Sequence, residues 1–216
     1  MPVDVDVSRL VIATTNRHKL REIRTLLADV PVELTGLDAW RPVPEPDETG
    51  TSFQENARQK ALYYSSALGV ARAPVLVAAE DSGLVVDALD GEPGIRSARF
   101  VRADASYDER FEEIFRRLRG RADRPWRARF VCALAVVRGG AVVFETTGTV
   151  EGEITDQPRG SHGFGYDPIF YYPAYGRTLA EVEDDEKLRV AHRGHAFRQF
   201  SDWLRTGQPS RWTPEF

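Results

Sequence analysis

The 216-residue chain has very little cysteine and no long apolar run. Its single cysteine, Cys132, cannot form an internal disulfide or a cysteine-rich zinc site. No stretch approaches the roughly 20 consecutive apolar residues that a membrane-spanning helix needs, and the first residues lack the basic start and apolar core of a signal peptide. The sequence therefore predicts a cytoplasmic protein without a membrane partner.

A strong excess of one charge sign is also absent. The chain has 29 Lys and Arg against 33 Asp and Glu, and its formal net charge is −4. The two signs are interleaved, so there is no extended basic surface to attract duplex nucleic acid. We therefore expect no nucleic-acid partner. A small phosphorylated ligand stays possible, because it needs only a few local cations.

Apolar periodicity and capping residues predict an α/β fold with a mixed sheet in a single domain, residues 1–216. A strand at 9–13 leads into a helix after TTNRHK. Capping boxes, Ser52 with Glu55 and Ser106 with Glu109, open two further helices. Residues 127–137 and 141–148 read as a hairpin. A last helix runs from about 184 to 204, with its apolar face at Phe197, Phe200, Trp203 and Leu204.

The intervening segments are predicted to be less regular. Residues 41–50, 91–100 and 158–177 are rich in Gly and Pro and are interpreted as loops, and the tail TGQPSRWTPEF shows no regular pattern. Residues 75–79 and 84–88 read as two strands joined by an EDSG turn, because Ser82 and Gly83 are residues that favour turns.

The first segment that could carry chemistry is TTNRHK, at the junction of the first strand and helix. Backbone N–H groups at a helix start, two hydroxyls and Lys19 suit a phosphate chain. Asn16 is equally suited to a purely structural helix cap. The glycine pattern of a Walker loop is absent.

Three acids, Glu48, Glu80 and Asp81, form the second candidate. Neighbours on a continuing strand point to opposite faces, but both acids can face one cleft where a strand ends in a turn. Three carboxylates could then hold Mg²⁺, which prefers oxygen ligands, and one could activate a water molecule. The alternatives are a solvated loop acid at Glu48 and simple turn chemistry at Asp81 and Ser82.

Two later segments are candidates for ligand contacts. In SHGFGYDP, glycines flank Phe164, whose ring could stack on a purine or could simply anchor the loop on the core. In EKLRVAHRGH, the donors Lys187, His192 and Arg193 could contact a ligand or form a solvated helix start.

Taken in order, TTNRHK, ETGTSFQENARQKA, AEDSGL, GEPGIRSARF, GFGYDPIF and EKLRVAHRGHA resemble the inosine/xanthosine triphosphate pyrophosphatase family over residues 10–204. The resemblance implies an elongated two-lobed α/β fold on a central mixed sheet with flanking helices, with a substrate cleft between the lobes. It also implies a homodimer that uses Mg²⁺ to hydrolyse ITP, dITP and XTP to the monophosphate and pyrophosphate.

The resemblance assigns roles by position in this sequence. It implies that Asp81 is the proton acceptor, with Lys19 assisting at the phosphates, and that the metal ligands are Glu48, Glu80 and Asp81. The implied substrate contacts are Thr14, Thr15, Asn16, Arg17, His18, Lys19, Ser82, Phe164, Gly165, Tyr166, Asp167, Lys187, His192 and Arg193.

This sequence departs from the family pattern at three positions. Glu80 stands where many relatives have Asp, His162 where they often have Gly, and Ala191 where they often have Ser. A β-carbon at position 162 is expected to restrict the loop. Two other functions stay open: a Maf-type pyrophosphatase of different nucleotide preference, and a non-catalytic nucleotide sensor on the same scaffold.

Overall fold

The computed structural model describes residues 9–121 and 124–206. The first eight residues and most of the C-terminal tail, whose lack of structure was predicted, lie outside these ranges. Within them the helices are α1 (Arg17–Leu26), α2 (Phe53–Ala67), α3 (Tyr107–Leu118), α4 (Asp184–Val190) and α5 (His192–Thr206). The strands are β1 (Arg9–Ile12), β2 (Glu33–Gly36), β3 (Val75–Val86), β4 (Arg127–Arg138), β5 (Ala141–Ile154), β6 (Phe170–Tyr172) and β7 (Arg177–Thr178).

The seven strands form one mixed sheet in the order β2-β1-β3-β4-β5-β6-β7. β1 pairs in parallel with β2 and β3, whereas β6 pairs antiparallel with β5 and β7. β4 and β5 are joined by Gly139 and Gly140, both with positive φ, as a two-residue hairpin turn requires. The predicted α/β class and mixed sheet are confirmed.

Local capping explains where three helices begin. The Asn16 side chain accepts from the backbone N–H groups of His18 and Lys19 and caps α1. Ser52 caps α2, and Ser106 with Glu109 forms the predicted reciprocal capping box of α3. Each cap satisfies backbone donors that have no partner within the first helical turn.

The predicted turn at residues 80–83 is wrong, because β3 runs without interruption from Val75 to Val86. Gly83 serves close packing instead of a turn. A Cβ added there would lie 2.3 Å from the Ser97 Oγ atom and 2.6 Å from the Gly94 carbonyl oxygen. β3 pairs with β1 as far as Ala78 and is flanked by β4 on its other side, so pairing within the sheet outweighs the local preference of Ser and Gly for turns.

The predicted single last helix is also wrong. It divides into α4 and α5 at Ala191, whose backbone is extended (φ −68°, ψ 151°). α5 therefore starts a new N-terminus at His192, and both His192 and Arg193 are buried in its first turn. The short strands β2, β6 and β7 were not predicted, and residues Gly94–Arg99 form a 3₁₀ helix in a segment expected to be a loop.

The chain divides into two compact units. The first takes in the chain up to Asp81, Cys132–Gly148 and the chain from Arg193 onward, and the second takes in Ser82–Val131 and Thr149–His192. The core of the first unit contains the predicted apolar face of α5, including Phe197, Phe200 and Trp203. The second unit has its own core around α3 and β6. No helix in the described ranges is both long enough and apolar enough to cross a bilayer.

Candidate functional site

Asp81 lies on β3 among polar side chains of the first unit. The Asn56 amide donates to its Oδ2 at 2.9 Å, and the Lys60 ammonium lies 3.3 Å from its Oδ1. Lys60 also forms an ion pair with Glu48, which projects from the loop before α2. The half-buried Lys60 ammonium thus bridges Glu48 and Asp81.

Asn56 fixes the loop and the strand at once. It is fully buried. Its side-chain oxygen accepts from the Gly50 backbone N–H at 2.9 Å, while its amide nitrogen donates to Asp81. Asn56 and Lys60 are four residues apart on α2, so they share one helix face. This face presents a donor pair to Asp81.

Glu80 makes a different set of contacts, as expected for its neighbouring position on a continuous strand. The Arg193 Nε atom lies 3.0 Å from each of its carboxylate oxygens, and Arg193 Nη2 lies 2.9 Å from Oε1. The Cys132 thiol donates to Oε2 at 2.7 Å, and the Lys19 ammonium lies 3.3 Å from Oε1. Arg193 in turn forms an ion pair with Glu22 of α1 at 2.6 Å.

These surroundings shift the pKa values of Asp81 and Glu80 in opposite directions. Burial raises the pKa of Asp81, and Glu48 adds to that rise, although Lys60 and Asn56 oppose it. Burial alone would also raise the pKa of Glu80, but the Arg193 and Lys19 charges outweigh it and hold that pKa below its ordinary value. Asp81 is therefore the better proton acceptor of the two, because a carboxylate of higher pKa is the stronger base.

The TTNRHK segment lies at the end of β1 and the start of α1, as predicted. Its Asn16 side chain is engaged in capping, and Lys19 reaches Glu80. Thr14, Thr15 and Arg17 line a cavity of about 840 Å³ that also borders Trp40. The segment thus supplies a helix N-terminus and a cation beside the acids.

The segment Ser161–Pro168, called here the glycine loop, belongs to the second unit. Gly163 and Gly165 both have φ of +69°, a conformation that side chains with a β-carbon rarely adopt. A Cβ at Gly163 would also lie 2.2 Å from the Asp167 Oδ2 atom. His162 does not have a positive φ, so its β-carbon imposes no left-handed backbone strain.

A buried ion pair holds the glycine loop in place. Lys187 and Asp167 are 2% and 3% exposed, and the Lys187 ammonium donates to Asp167 Oδ2 at 2.7 Å. The same oxygen accepts from the Phe164 backbone N–H at 2.9 Å. The Lys187 ammonium also lies 4.6 Å from the centre of the half-buried Phe164 ring. Asp167 thereby fixes the backbone that presents Phe164.

The other predicted contacts of the second unit have mainly packing partners. The Tyr166 hydroxyl donates to the Ser97 carbonyl, and its ring packs edge-on against Tyr107. His192 is buried, and its ring stacks on Phe130 at 4.9 Å. Ser82 is half-buried on β3. The structure therefore brings Phe164, Asp167 and Lys187 together and places Tyr166 in the core.

Four residues of the first-unit site were missed by the sequence analysis: Glu22, Asn56, Lys60 and Cys132. Asn56 and Lys60 gave a usable signal, since they lie within the buried stripe of α2 that starts at Phe53 and includes Ala57. A polar residue in such a stripe needs a buried partner. Glu22 and Cys132 gave no such signal, because the partner of each lies far away in the sequence. Glu22 pairs with Arg193, and Cys132 pairs with Glu80.

The acids do not form a preformed metal cage. Among residues 9–121 and 124–206, no group of three or more His, Cys, Asp or Glu side chains is gathered as a metal site. Mg²⁺ is commonly held by only one or two carboxylates together with substrate phosphates. Glu48 and Asp81, which share one ammonium, fit that kind of donor set.

Fold and site together define a class: an α/β protein in which β3 of a mixed sheet and the helix α2 hold a carboxylate–ammonium site. The model of the Ham1 family matches residues 10–203. The chain belongs to the Ham1 family.

Relatives and solved structures agree with this assignment. The dITP/XTP pyrophosphatase of Exiguobacterium sp. is 43% identical over 191 residues, covering 88% of this chain and 94% of the relative. That of Syntrophobacter fumaroxidans is 46% identical, covering 90% and 84%. The HAM1 protein from Coxiella burnetii is 36% identical with a TM-score of 0.82, covering 91% of this chain and 98% of the other. The Staphylococcus aureus Ham1 protein is 34% identical with a TM-score of 0.80, covering 93% and 100%.

Proposed function

We propose that the protein is a Mg²⁺-dependent pyrophosphatase that hydrolyses dITP, ITP and XTP to the nucleoside monophosphate and pyrophosphate. The observation that carries the proposal is the pairing of family membership with a buried Asp81 held by Asn56 and Lys60. Relatives that carry the name dITP/XTP pyrophosphatase match nine-tenths of the chain. The cytoplasm is the proposed location and a homodimer the proposed assembly.

Asp81 is the proposed proton acceptor for the water molecule that attacks the phosphate. Its position supports this role, because Asn56 and Lys60 orient its carboxylate and burial keeps its pKa raised. Lys19 and Lys60 provide positive charge near the acids. Such charge offsets the negative charge of the triphosphate and of the leaving pyrophosphate.

Mg²⁺ is the proposed cofactor, with Glu48 and Asp81 as its protein ligands. Lys60 lies between these two carboxylates, which indicates a position where positive charge is stabilised. The metal would neutralise phosphate charge when bound. Glu80, the third acid predicted from the sequence, is instead engaged by Arg193, Cys132 and Lys19.

Recognition of the base is proposed to combine Phe164 with donors from Lys187 and His192. Stacking of a base on an aromatic ring contributes about 1–3 kcal/mol. A donor that meets the 6-keto oxygen of hypoxanthine or xanthine would face the amino group of adenine. Because two opposed donors leave buried groups unpaired, such a site discriminates strongly against ATP. Rejection of GTP must use position 2 of the ring.

The test is a substrate panel. The protein is incubated with Mg²⁺ and ITP, dITP, XTP, ATP, GTP or dTTP, and release of pyrophosphate is measured. We expect dITP, ITP and XTP to be clearly preferred. A preference for dTTP or another standard nucleotide would favour a Maf-type activity, and binding of ITP without turnover would favour a nucleotide sensor. Either result would overturn the proposal.

A further inference from the structure

We propose that Glu80 is a positioning residue, not a metal ligand, and that together with Cys132 it holds Arg193 and Lys19 in place for the nucleotide. The inference rests on the proposed function and assigns different roles to the adjacent acids Glu80 and Asp81. Asp81 faces the metal and the reacting water, whereas Glu80 orients the cations that contact the substrate.

The first argument is the continuity of β3. Because Glu80 and Asp81 are neighbours on an uninterrupted strand, their side chains point to opposite faces. Their contacts are correspondingly different. Asp81 meets Asn56 and Lys60 from α2, and Glu80 meets residues of α1, β4 and α5.

The second argument is the occupancy of the Glu80 oxygens. A carboxylate offers about four lone-pair positions. Arg193 contacts both oxygens, Cys132 donates to Oε2, and Lys19 contacts Oε1. Arg193, Cys132 and Lys19 already take up these positions, so a divalent cation on Glu80 would have to displace one of its present partners.

The third argument is the burial of the group. Glu80 and Arg193 are 5% and 1% exposed, and Arg193 is held on its far side by Glu22. A bidentate arginine–carboxylate contact fixes orientation as well as distance. The buried chain of contacts from Glu22 through Arg193 to Glu80 therefore sets the direction of the guanidinium at the start of α5.

Cys132 completes this arrangement. It is fully buried on β4, and its thiol supplies a neutral donor to the Oε2 atom of Glu80. A neutral donor at this place satisfies the oxygen without adding a third positive charge. Cys132→Ser keeps a donor of similar size, whereas Cys132→Ala removes it.

The decisive variant is Glu80→Gln, compared with Glu48→Gln. For each protein, pyrophosphate release from dITP is measured while Mg²⁺ is varied, and Mn²⁺ binding without nucleotide is measured by electron paramagnetic resonance. We expect Glu80→Gln to raise KM for dITP about tenfold, as loss of a partner to charged groups does. Its Mn²⁺ affinity and half-activating Mg²⁺ concentration should stay within about twofold of the parent. Glu48→Gln should lower the Mn²⁺ affinity and raise the half-activating Mg²⁺ concentration, each by about tenfold or more. High Mg²⁺ should restore its activity.

The proposal is overturned if Glu80→Gln loses Mn²⁺ binding as Glu48→Gln does, or if excess Mg²⁺ restores its activity. It is also overturned if Cys132→Ala leaves KM unchanged, or if Cys132→Ser fails to restore KM toward the parent value. Thermal unfolding is recorded for every variant, and Glu80→Asp replaces Glu80→Gln if the latter does not fold. Because Mn²⁺ binding needs no turnover, failure of the proposed activity alone would leave the Glu80 comparison intact.

Discussion

The acid site of the first unit and the glycine loop of the second unit are built by opposite means. In the acid site, regular elements position the charged groups: Asp81 and Glu80 lie on β3, and Lys60 lies on α2. In the glycine loop, two glycines with positive φ shape the backbone, and the Lys187–Asp167 pair fixes it. Asp81, Glu80 and Lys60 are thus held by secondary structure, whereas Phe164 is held by local backbone geometry.

The largest expected effect lies in the acid site. Asp81→Asn keeps the shape of the side chain but removes its charge, so it should lower the rate of pyrophosphate release from dITP by about 10³-fold, within the range for loss of a general base. The matched control is Glu145→Gln, which removes a surface acid paired with Arg58 of the same unit. Its rate should equal that of the parent. Full activity of Asp81→Asn would show that another group takes the proton.

The corresponding variant of the glycine loop is Lys187→Met. It leaves the buried carboxylate of Asp167 without its ammonium partner, which costs about 3–5 kcal/mol for buried pairs. We expect a lower free energy of unfolding by urea together with a higher KM for dITP. Adding Asp167→Asn should recover part of the stability, because the uncompensated charge is then removed. Equal stability of parent and Lys187→Met would contradict a structural role for the pair.

Gly163→Ala separates the cost of positive φ from the cost of a clash. Its Cβ would meet Asp167, whereas Gly139→Ala, the control, has positive φ but nothing within 4 Å of the added Cβ. Both variants should lose roughly 1–2 kcal/mol of folding stability, which is the cost of holding a residue with a β-carbon in the left-handed conformation. Only Gly163→Ala should lose more stability than this and also raise the KM for dITP. Similar melting temperatures for the two variants would mean that the loop adjusts freely.

The smallest effect is expected outside both regions. Glu113 on α3 pairs with Arg116 and Arg117, and hydrogen bonds from these arginines lower its pKa to about 2. Since the folded-state pKa is depressed, the stabilisation is present above the ordinary carboxyl pKa and is lost as the pH falls toward 2. Glu113→Gln should lower the free energy of unfolding by only about 0.2–0.5 kcal/mol per pair at pH 7. Urea unfolding at pH 7 and pH 3 should show a smaller difference at the lower pH.

Much of the fold follows from local sequence signals. The Asn16, Ser52 and Ser106 caps and the apolar face of α5 depend on residues a few positions apart, so they could be predicted. The continuity of β3 could not, because pairing within the sheet overrides the turn preference of Ser82 and Gly83. The break at Ala191 also gave no signal, since alanine is the strongest helix former.

The site was predicted where the motif order was informative and missed where contacts are distant in sequence. Asp81 and Glu48 were predicted as site residues, and the structure places Lys60 beside both of them. The Cys132–Glu80 and Arg193–Glu22 contacts span 52 and 171 positions. No local pattern encodes such pairs, because they arise only when β4 and α5 pack in the folded unit.

One consequence of the Asn56 contacts concerns motion. Its oxygen is taken by the Gly50 N–H and its nitrogen by Asp81, so the planar amide cannot rotate by half a turn without opposing like groups. The loop that carries Glu48 and the strand that carries Asp81 are therefore tethered through a single rigid group. An opening of the loop must first break these two hydrogen bonds. Asn56 therefore fixes the spacing between Glu48 and Asp81.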